Sequence, residues 1–166
     1  MLFLLCSDLH GSDAGALLLK RAVDRHSPDC LILLGDILHG HLGDKELFLS
    51  LLSGLSVPIM AVKGNCDYPS DEQRLGFPLP EKLCLPLFGR KCHFSHYPPT
   101  GRLDGGLYFH GHTHVKALFE LDGSIICCPG SISYPRDGLH SYALLSDGLI
   151  ALYDAENGQK IGEKAF

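Results

Sequence analysis

Aspartate, asparagine and histidine residues follow short apolar runs at five places in this sequence. The candidate metal ligands among them are Asp8, His10, Asp36, Asn65, His96, His112 and His114. Carboxylate, imidazole and amide donors without a thiolate suit Mn²⁺, Fe or Zn²⁺ in five- or six-coordinate sites better than a closed structural zinc site. Seven candidates are too many for one ion, but two ions that share a carboxylate would need about this number. Paired ions of this kind clamp a phosphoryl group and activate a water molecule.

The apolar runs that precede these residues are predicted to be buried strands. They are Leu2–Cys6, Cys30–Leu34, Pro58–Val62, Lys91–Phe94 and Leu107–Phe109. Ligands bind at the carboxyl ends of the strands in α/β sheets, so five strands could deliver their side chains to one place. Side chains alternate along an extended chain, and this alternation should point Asp8 and His10 in the same direction.

Two helical patterns separate the first three strands. One runs from Ala14 to Ala22 and stops at Ser27-Pro28, and the other runs from Asp44 to Leu55. This order predicts parallel strands joined by right-handed crossovers. Further along, three prolines in residues 75–90 indicate a loop and an edge strand.

Asp122-Gly123 and Asp147-Gly148 each lie between apolar runs and predict two β-hairpins. We expect type I′ turns at both, with positive φ at both central residues. The predicted fold is therefore an α/β arrangement in which a parallel first half joins antiparallel hairpins, in two sheets with helices outside. The length of 166 residues predicts one domain, residues 1–166.

Composition excludes several classes of function. The apolar runs are far shorter than the roughly 20 residues of a membrane span, so no membrane association is expected. A net charge of -5 makes nucleic acid an unlikely partner. The sequence has an odd number of cysteines, seven, and no CxxC pair, which favours reduced thiols over disulfides or a zinc knuckle. Because the N-terminus also lacks a signal peptide pattern, we expect a cytoplasmic protein.

Five ordered motifs resemble those of the calcineurin-like metallophosphoesterases. They are Asp8-x-His10, Gly35-Asp36, Gly64-Asn65-Cys66-Asp67, His96 and Gly111-His112-Thr113-His114, and the resemblance extends from residue 3 to about residue 153. The short chain, the cysteine of Gly-Asn-Cys-Asp and the later Pro129-Gly130-Ser131 are most similar to the small prokaryotic YfcE-like phosphodiesterases. The fold that the resemblance implies is a four-layer one, with two mixed sheets face to face and helices outside.

The resemblance also implies a division of labour among the ligands. Asp8, His10 and His114 would hold one metal ion, Asn65, His96 and His112 the second, and Asp36 would bridge both. Mn²⁺ is favoured, with Fe, Zn²⁺ or Ni²⁺ as alternatives. A water or hydroxide between the ions would attack the phosphorus of a small phosphodiester. The predicted catalytic residues are Asp36, Asn65, Cys66 and His112.

Two positions depart from the wider family pattern. Cys66 stands where most members carry a histidine that contacts the phosphate or protonates the leaving group, so esters with good leaving groups should react best. Tyr97 follows His96 where the family usually shows a His-Gly-His sequence. Two alternatives to a phosphodiesterase stay open. One is a phosphomonoesterase or pyrophosphate-bond hydrolase on the same centre, and the other is a non-enzymatic interaction module, as in a retromer subunit with this fold.

Several residues near the motifs have two interpretations each. Asp67 either orients a neighbour or caps a turn. Two histidines, His39 and His41, either reach the substrate or are exposed in a loop. Arg136 either steadies a phosphate or lies on the surface, within a loop around Ser131 that approaches the metals in this family. We interpret His26, His93 and His110 as structural or surface residues. A homo-oligomer is one alternative for the assembly.

Overall fold

The computed structural model describes residues 1–41 and 43–166, which form eleven strands and three helices. The strands are β1 (Phe3–Cys6), β2 (Cys30–Leu33), β3 (Ile59–Ala61), β4 (Lys82–Leu87), β5 (Arg90–Ser95), β6 (Leu107–Phe109), β7 (Ala117–Leu121), β8 (Ser124–Cys128), β9 (Ser141–Ser146), β10 (Leu149–Asp154) and β11 (Lys160–Ala165). The helices are α1 (Asp13–His26), α2 (Lys45–Ser53) and α3 (Asp71–Leu75). None of the helices in this part of the chain has the length and apolar character that a membrane crossing requires.

Both sheets are mixed. The first has the order β11-β10-β9-β1-β2-β3, in which β1, β2 and β3 are parallel and the hairpin strands are antiparallel. The second has the order β4-β5-β6-β8-β7, with parallel pairs at its centre and an antiparallel pair at each edge. The predicted parallel opening is confirmed, and the proline-containing β4 lies at an edge, where a missing N–H is tolerated.

Strand β1 shows why two layers of core form. Phe3 and Leu5 point into the core between the two sheets, whereas Leu4 and Cys6 pack against the helical layer. All four are buried, because a central strand with a layer on each face must be apolar throughout. The predicted pair of face-to-face mixed sheets with helices outside is confirmed. Among the described residues, helical cover lies on the first sheet only.

Three elements were not predicted from the sequence. These are the short helix α3, the final strand β11 and the hairpin that joins β4 to β5 through Phe88-Gly89. Phe88 has a φ of 53°, which a bulky residue seldom adopts. Its ring packs edge-on against Phe3, with 6.1 Å between centroids, and tertiary packing thus supports a turn that lacks the usual turn residues.

The two predicted hairpins form, but with different turns. Asp122 and Gly123 both have positive φ, 49° and 73°, as a type I′ turn requires. In the other hairpin only Gly148 has positive φ, so the predicted type I′ turn at Asp147-Gly148 is wrong. Pairing of Ser146 with Leu149 still closes the strands. An Asp-Gly pair therefore predicted the hairpin more reliably than its turn type.

Candidate metal centre

The candidate ligands lie in loops that leave the carboxyl ends of β1, β2, β3, β5 and β6. Backbone hydrogen bonds join these loops directly. The N–H of Asp8 donates to the carbonyl of Gly35, and that of His10 donates to Asp36, at 3.1 and 2.9 Å. Gly111 donates in the same way to His96, at 3.0 Å. The carboxyl ends of five strands, three from the first sheet and two from the second, are thus brought together.

A first cluster consists of Asp8, His10 and His114. Their ligand atoms lie within 4.8 Å of one another, close enough to share one metal ion. The two imidazole Nε2 atoms are 3.3 Å apart, and the Nε2 of His114 lies 3.3 Å from Asp8 Oδ1. Asp8 is fully buried.

A second cluster consists of Asn65, His96 and His112. The side-chain oxygen of Asn65 lies 2.9 Å from His96 Nε2 and 2.9 Å from His112 Nδ1. Those two ring nitrogens are 3.3 Å apart. The exposed ring of Tyr97 packs over this cluster, with its centroid 4.7 Å from that of His112.

Asp36 lies between the two clusters. Its Oδ2 is 3.8 Å from the Nε2 of His10 and 3.5 Å from the Nε2 of His96, while its Oδ1 accepts a hydrogen bond from the Cys66 N–H. Burial alone would raise the pKa of this carboxyl, but His96, the Cys66 N–H and His10 outweigh it and lower the pKa to about 2. The carboxylate is therefore ionised at neutral pH and faces both clusters.

Backbone carbonyls fix which nitrogen faces the centre in three of the four candidate histidines. The Nδ1 atoms of His10, His96 and His114 donate to the carbonyls of His39, Leu34 and Tyr134, at 2.9, 2.8 and 2.7 Å. A carbonyl only accepts, so Nδ1 carries the hydrogen and the Nε2 of the neutral ring presents a lone pair to the centre. Partners of this kind orient metal-binding histidines in proteins.

The first cluster brings acceptors together without a side-chain donor between them. Asp8 Oδ2 accepts from the His112 N–H at 3.1 Å, but the buried Oδ1 has no hydrogen-bond partner. An orphaned buried carboxylate oxygen beside two imidazole lone pairs is unfavourable unless a cation or a proton lies among them. Accordingly, the Asp8 carboxylate raises the pKa of His114. The donor set and this unsatisfied oxygen fit a divalent metal ion.

The backbone at the centre is strained. Five candidate ligands have left-handed φ angles between 50° and 66°: Asp8, His10, Asp36, His112 and His114. Such conformations cost free energy in residues other than glycine and concentrate at functional sites. They also correct one prediction. Asp8 and His10 converge through these left-handed loop conformations and not through the alternation of an extended strand, since β1 ends at Cys6.

The motif glycines permit close contact between the loops. A Cβ on Gly35 would lie 2.6 Å from His96 Nδ1 and 2.8 Å from the Gly64 backbone. A Cβ on Gly64 would lie 2.2 Å from the nitrogen of Asp36. Because no side chain fits at either position, the β2 and β3 loops approach closely enough to place Asp36 beside Asn65.

Asp67 joins the same two loops, which resolves its two interpretations in favour of orienting a neighbour. Its carboxylate accepts from three backbone N–H groups, those of Asp36, Ile37 and Gly64, each at 2.8 Å. The side chain is buried. Two of these charge-assisted bonds hold the loop that carries Asp36, and the third holds Gly64 in the loop after β3.

Cys66 lies at the centre, where its Sγ is within 4.8 Å of the ligand atoms of His10 and Asp36, and it also contacts Asn65. The Asn65 amide nitrogen donates to the Cys66 sulfur at 3.2 Å, which turns the amide oxygen toward His96 and His112. Burial and the nearby Asp36 raise the pKa of the Cys66 thiol to about 11, so the thiol is protonated at neutral pH. A protonated thiol is a poor nucleophile, and this geometry favours an orienting role.

The remaining candidates from the sequence fall into residues that line a cavity and residues that do not. His41 and Arg136 line a cavity of about 450 Å³ in front of the ligands. His39 does not line it, because its ring bonds to the buried carboxylate of Asp71 at 2.9 Å. His110 is buried with its Nδ1 2.9 Å from the carbonyl of Gly111, and His26 and His93 lie in aromatic contacts elsewhere. Ser131 donates to the carbonyl of Asp8.

Sequence reasoning missed two residues here. Asp71 orients His39, whose carbonyl in turn accepts from the His10 ring. Asp71 is the first residue of α3, a helix too short to show a periodic pattern in the sequence. Tyr134 lines the cavity and lies in the loop around Ser131. An aromatic residue in a loop near a predicted site is the signal that could have singled it out.

Comparison with known proteins shows which family the chain belongs to. The calcineurin-like phosphoesterase superfamily domain matches residues 1–147. The chain belongs to this superfamily. The superfamily's activity confirms the prediction of a metal-dependent phosphoric ester hydrolase.

Individual superfamily members match most of the chain. The phosphodiesterase YfcE of Escherichia coli K12 is 27% identical over 180 aligned positions, covering 97% of this chain and 95% of that protein. The probable metallophosphoesterase YsnB of Bacillus subtilis 168 is 28% identical over 157 positions, covering 86% of this chain and 82% of that protein. The solved structure of the E. coli YfcE phosphoesterase aligns with a TM-score of 0.90 at 23% identity, covering 99% of each chain, and shares the fold.

Proposed function

We propose that this protein is a dinuclear metal-dependent phosphodiesterase that hydrolyses small phosphodiesters. The observation that carries the proposal is the arrangement of acceptors in two clusters with Asp36 between them. The similarity to a phosphodiesterase from E. coli supports the substrate class. All seven ligand positions of the family motif are present, which argues against the alternative of a non-enzymatic interaction module.

Each cluster would hold one divalent ion. Asp8, His10 and His114 would bind the first, Asn65, His96 and His112 the second, and Asp36 would contact both. When bound, such ions polarise phosphoryl oxygens and lower the pKa of a water molecule. We favour Mn²⁺, because oxygen and imidazole donors without thiolate suit it.

The chain's own residues supply orientation. Backbone carbonyls hold the rings of His10, His96 and His114 so that their Nε2 atoms face the centre, and Asp67 holds the Asp36 loop. The Cys66 thiol stays protonated and orients the Asn65 amide. Because position 66 carries no imidazole, protonation of the leaving group is weak, and diesters with good leaving groups should react fastest.

The cavity accepts a small substrate. Its volume of about 450 Å³ falls in the range of small-molecule sites. Nucleic acid is not proposed as a substrate, given the net charge of -5. All seven cysteines are free thiols, which supports the proposal of a cytoplasmic location. A single domain over residues 1–166 is likewise proposed.

The test combines elemental analysis with turnover. Purified protein loaded with Mn²⁺ should contain two ions per chain and hydrolyse bis(p-nitrophenyl) phosphate faster than p-nitrophenyl phosphate. Chelation should abolish this turnover, and Asp36→Asn should reduce both metal content and turnover. Unchanged turnover after both treatments would refute the proposal. Faster hydrolysis of the monoester would instead favour a phosphomonoesterase on the same centre.

A separate experiment tests the part played by Cys66. Aryl phosphodiesters with progressively poorer leaving groups should show a steep fall in rate with the wild-type protein. Cys66→His supplies an imidazole at that position and should make the fall shallower, whereas Cys66→Ser should not. A steep fall that is identical in all three proteins would show that position 66 does not govern leaving-group protonation.

A further inference from the structure

One wall of the cavity is formed by side chains that hold no metal. Tyr134 and Arg136 line it from the loop that follows β8. Tyr134 is 60% exposed, and its ring stands perpendicular to that of His114, with 6.2 Å between centroids. This exposed aromatic ring therefore lies in the cavity lining, next to a candidate ligand.

The backbone of this wall is fixed to the centre. The carbonyl of Tyr134 accepts from the His114 ring at 2.7 Å, and the N–H of Arg136 donates to the carbonyl of His114 at 2.9 Å. Ser131 bonds both to the carbonyl of Asp8 and to the N–H of Tyr134, each at 2.8 Å. Because these bonds use main-chain atoms at positions 134 and 136, the two side chains are free to contact a ligand.

The charge of Arg136 is available to an anion. The adjacent Asp137 pairs with Lys116 at 2.8 Å, and in the described part of the chain Arg136 forms no ion pair. Gly40 and His41 also line the cavity, and the acidic residue in its described lining is Asp36, which lies between the two candidate metal clusters.

We propose that Tyr134 and Arg136 are substrate-binding residues that select aryl phosphodiesters. Tyr134 stacks on an aromatic ester group, and Arg136 pairs with the phosphate anion. The Tyr134 ring lies beside that of His114, with 6.2 Å between centroids, which places it next to the candidate metal centre. This inference rests on the proposed phosphodiesterase function and specifies the substrate class of that site.

Two phosphodiesters of equal charge separate ring binding from anion binding. Diphenyl and diethyl phosphate are titrated into the Mn²⁺-loaded protein by calorimetry. For Tyr134→Ala we expect a loss of diphenyl phosphate affinity of about 5- to 30-fold, in the range of aromatic stacking, and a change below about twofold for diethyl phosphate. Tyr134→Phe should bind both like wild type. Arg136→Ala should weaken both diesters by a similar factor, since both carry the anion.

Phe119→Ala is the matched control, because it also removes an exposed aromatic ring but on β7, outside the residues that line the cavity. It should leave both affinities unchanged. Equal weakening of both ligands by Tyr134→Ala, or none, would overturn the assignment of Tyr134. The methyl ester of thymidine 5′-monophosphate should bind more weakly than diphenyl phosphate. If it binds as tightly and with the same dependence on Tyr134, the site selects nucleobases instead.

Turnover of bis(p-nitrophenyl) phosphate distinguishes this inference from the proposed function. If wild-type protein hydrolyses the diester and Tyr134→Ala leaves ring selectivity unchanged, only the inference fails. If metal-loaded wild-type protein hydrolyses no phosphodiester, the proposed function fails regardless of the binding result.

Discussion

Two sites in this protein combine histidine with aspartate, and their hydrogen-bonding groups are arranged in opposite ways. One is the candidate metal centre. The other, here called the Asp104 cluster, lies on the outer face of the second sheet and consists of Lys91, His93, Asp104 and Tyr108. His93 and Tyr108 from this cluster line a cavity of about 470 Å³, similar in size to the one at the metal centre.

Donors converge in the Asp104 cluster. Lys91 Nζ and the Tyr108 hydroxyl lie 2.8 and 2.7 Å from the Asp104 carboxylate, and His93 Nε2 lies 3.2 Å from it. The carboxylate is thus satisfied within the protein and needs no ion. At the metal centre acceptors converge, Asp8 Oδ1 lacks a partner and the backbone is strained. Lys91 and Tyr108 give the Asp104 cluster donors that the candidate ligands lack, and this difference separates a structural cluster from a cation site.

Replacing one histidine in each cluster gives the largest contrast. His96→Ala removes a ligand nitrogen from the metal centre, and we expect turnover of bis(p-nitrophenyl) phosphate to fall by at least about a thousandfold. His93→Ala should change it by less than about twofold, since an exposed pair contributes little. Steady-state assays measure both, and thermal melts verify that both variants fold. Similar losses in the two variants would break the comparison.

Metal binding should stabilise the protein through the metal centre and not through the Asp104 cluster. At a free Mn²⁺ concentration of 100 times its Kd, the free energy of unfolding should rise by about 2.7 kcal/mol. Asp8→Asn should abolish this rise, because it removes the charge of the orphaned carboxylate. Asp104→Asn should retain it. Chemical denaturation with and without chelator measures the difference, and a rise that persists in Asp8→Asn would place the ion elsewhere.

Asp67, which holds the ligand loops but is not itself a ligand, should also affect metal affinity. Asp67→Asn leaves one acceptor oxygen for three N–H groups and should lower metal affinity by about 10- to 100-fold. The free energy of unfolding should fall by about 1–3 kcal/mol. Metal titration and denaturation measure the two effects. Unchanged metal affinity with reduced stability would restrict Asp67 to a structural role.

The smallest expected effect is a pH dependence of the Asp104 cluster. Bonds from Lys91 and Tyr108 lower the pKa of Asp104 below its ordinary value of about 3.9. Between the two values the unfolded chain binds more protons, so this stabilisation is present above about pH 4 and is lost as pH falls toward the folded-state pKa. The stability difference between wild type and Asp104→Asn should therefore shrink below about pH 4 in thermal melts. A constant difference would contradict this.

Local signals in the sequence predicted most of the fold. The apolar runs and turn residues identified β1, β2, β3, β5 and β6, both Asp-Gly hairpins and the first two helices. They missed β11 and the turn at Phe88, because an exposed edge strand lacks an apolar run and Phe88 is held by contact with Phe3. The turn type at Asp147 was also beyond local prediction.

The sequence by itself determined which side chains follow the strand ends at the candidate metal centre, since local patterns predict the strands and the motifs come directly after them. Only the tertiary structure decided which atoms face the centre. The tautomer of His96 depends on a carbonyl 62 positions away, and the strained loop angles depend on bonds between separate strands. The Tyr134 and Arg136 wall likewise exists because His114 holds its backbone. Lone-pair direction is set by long-range partners, which no local pattern encodes.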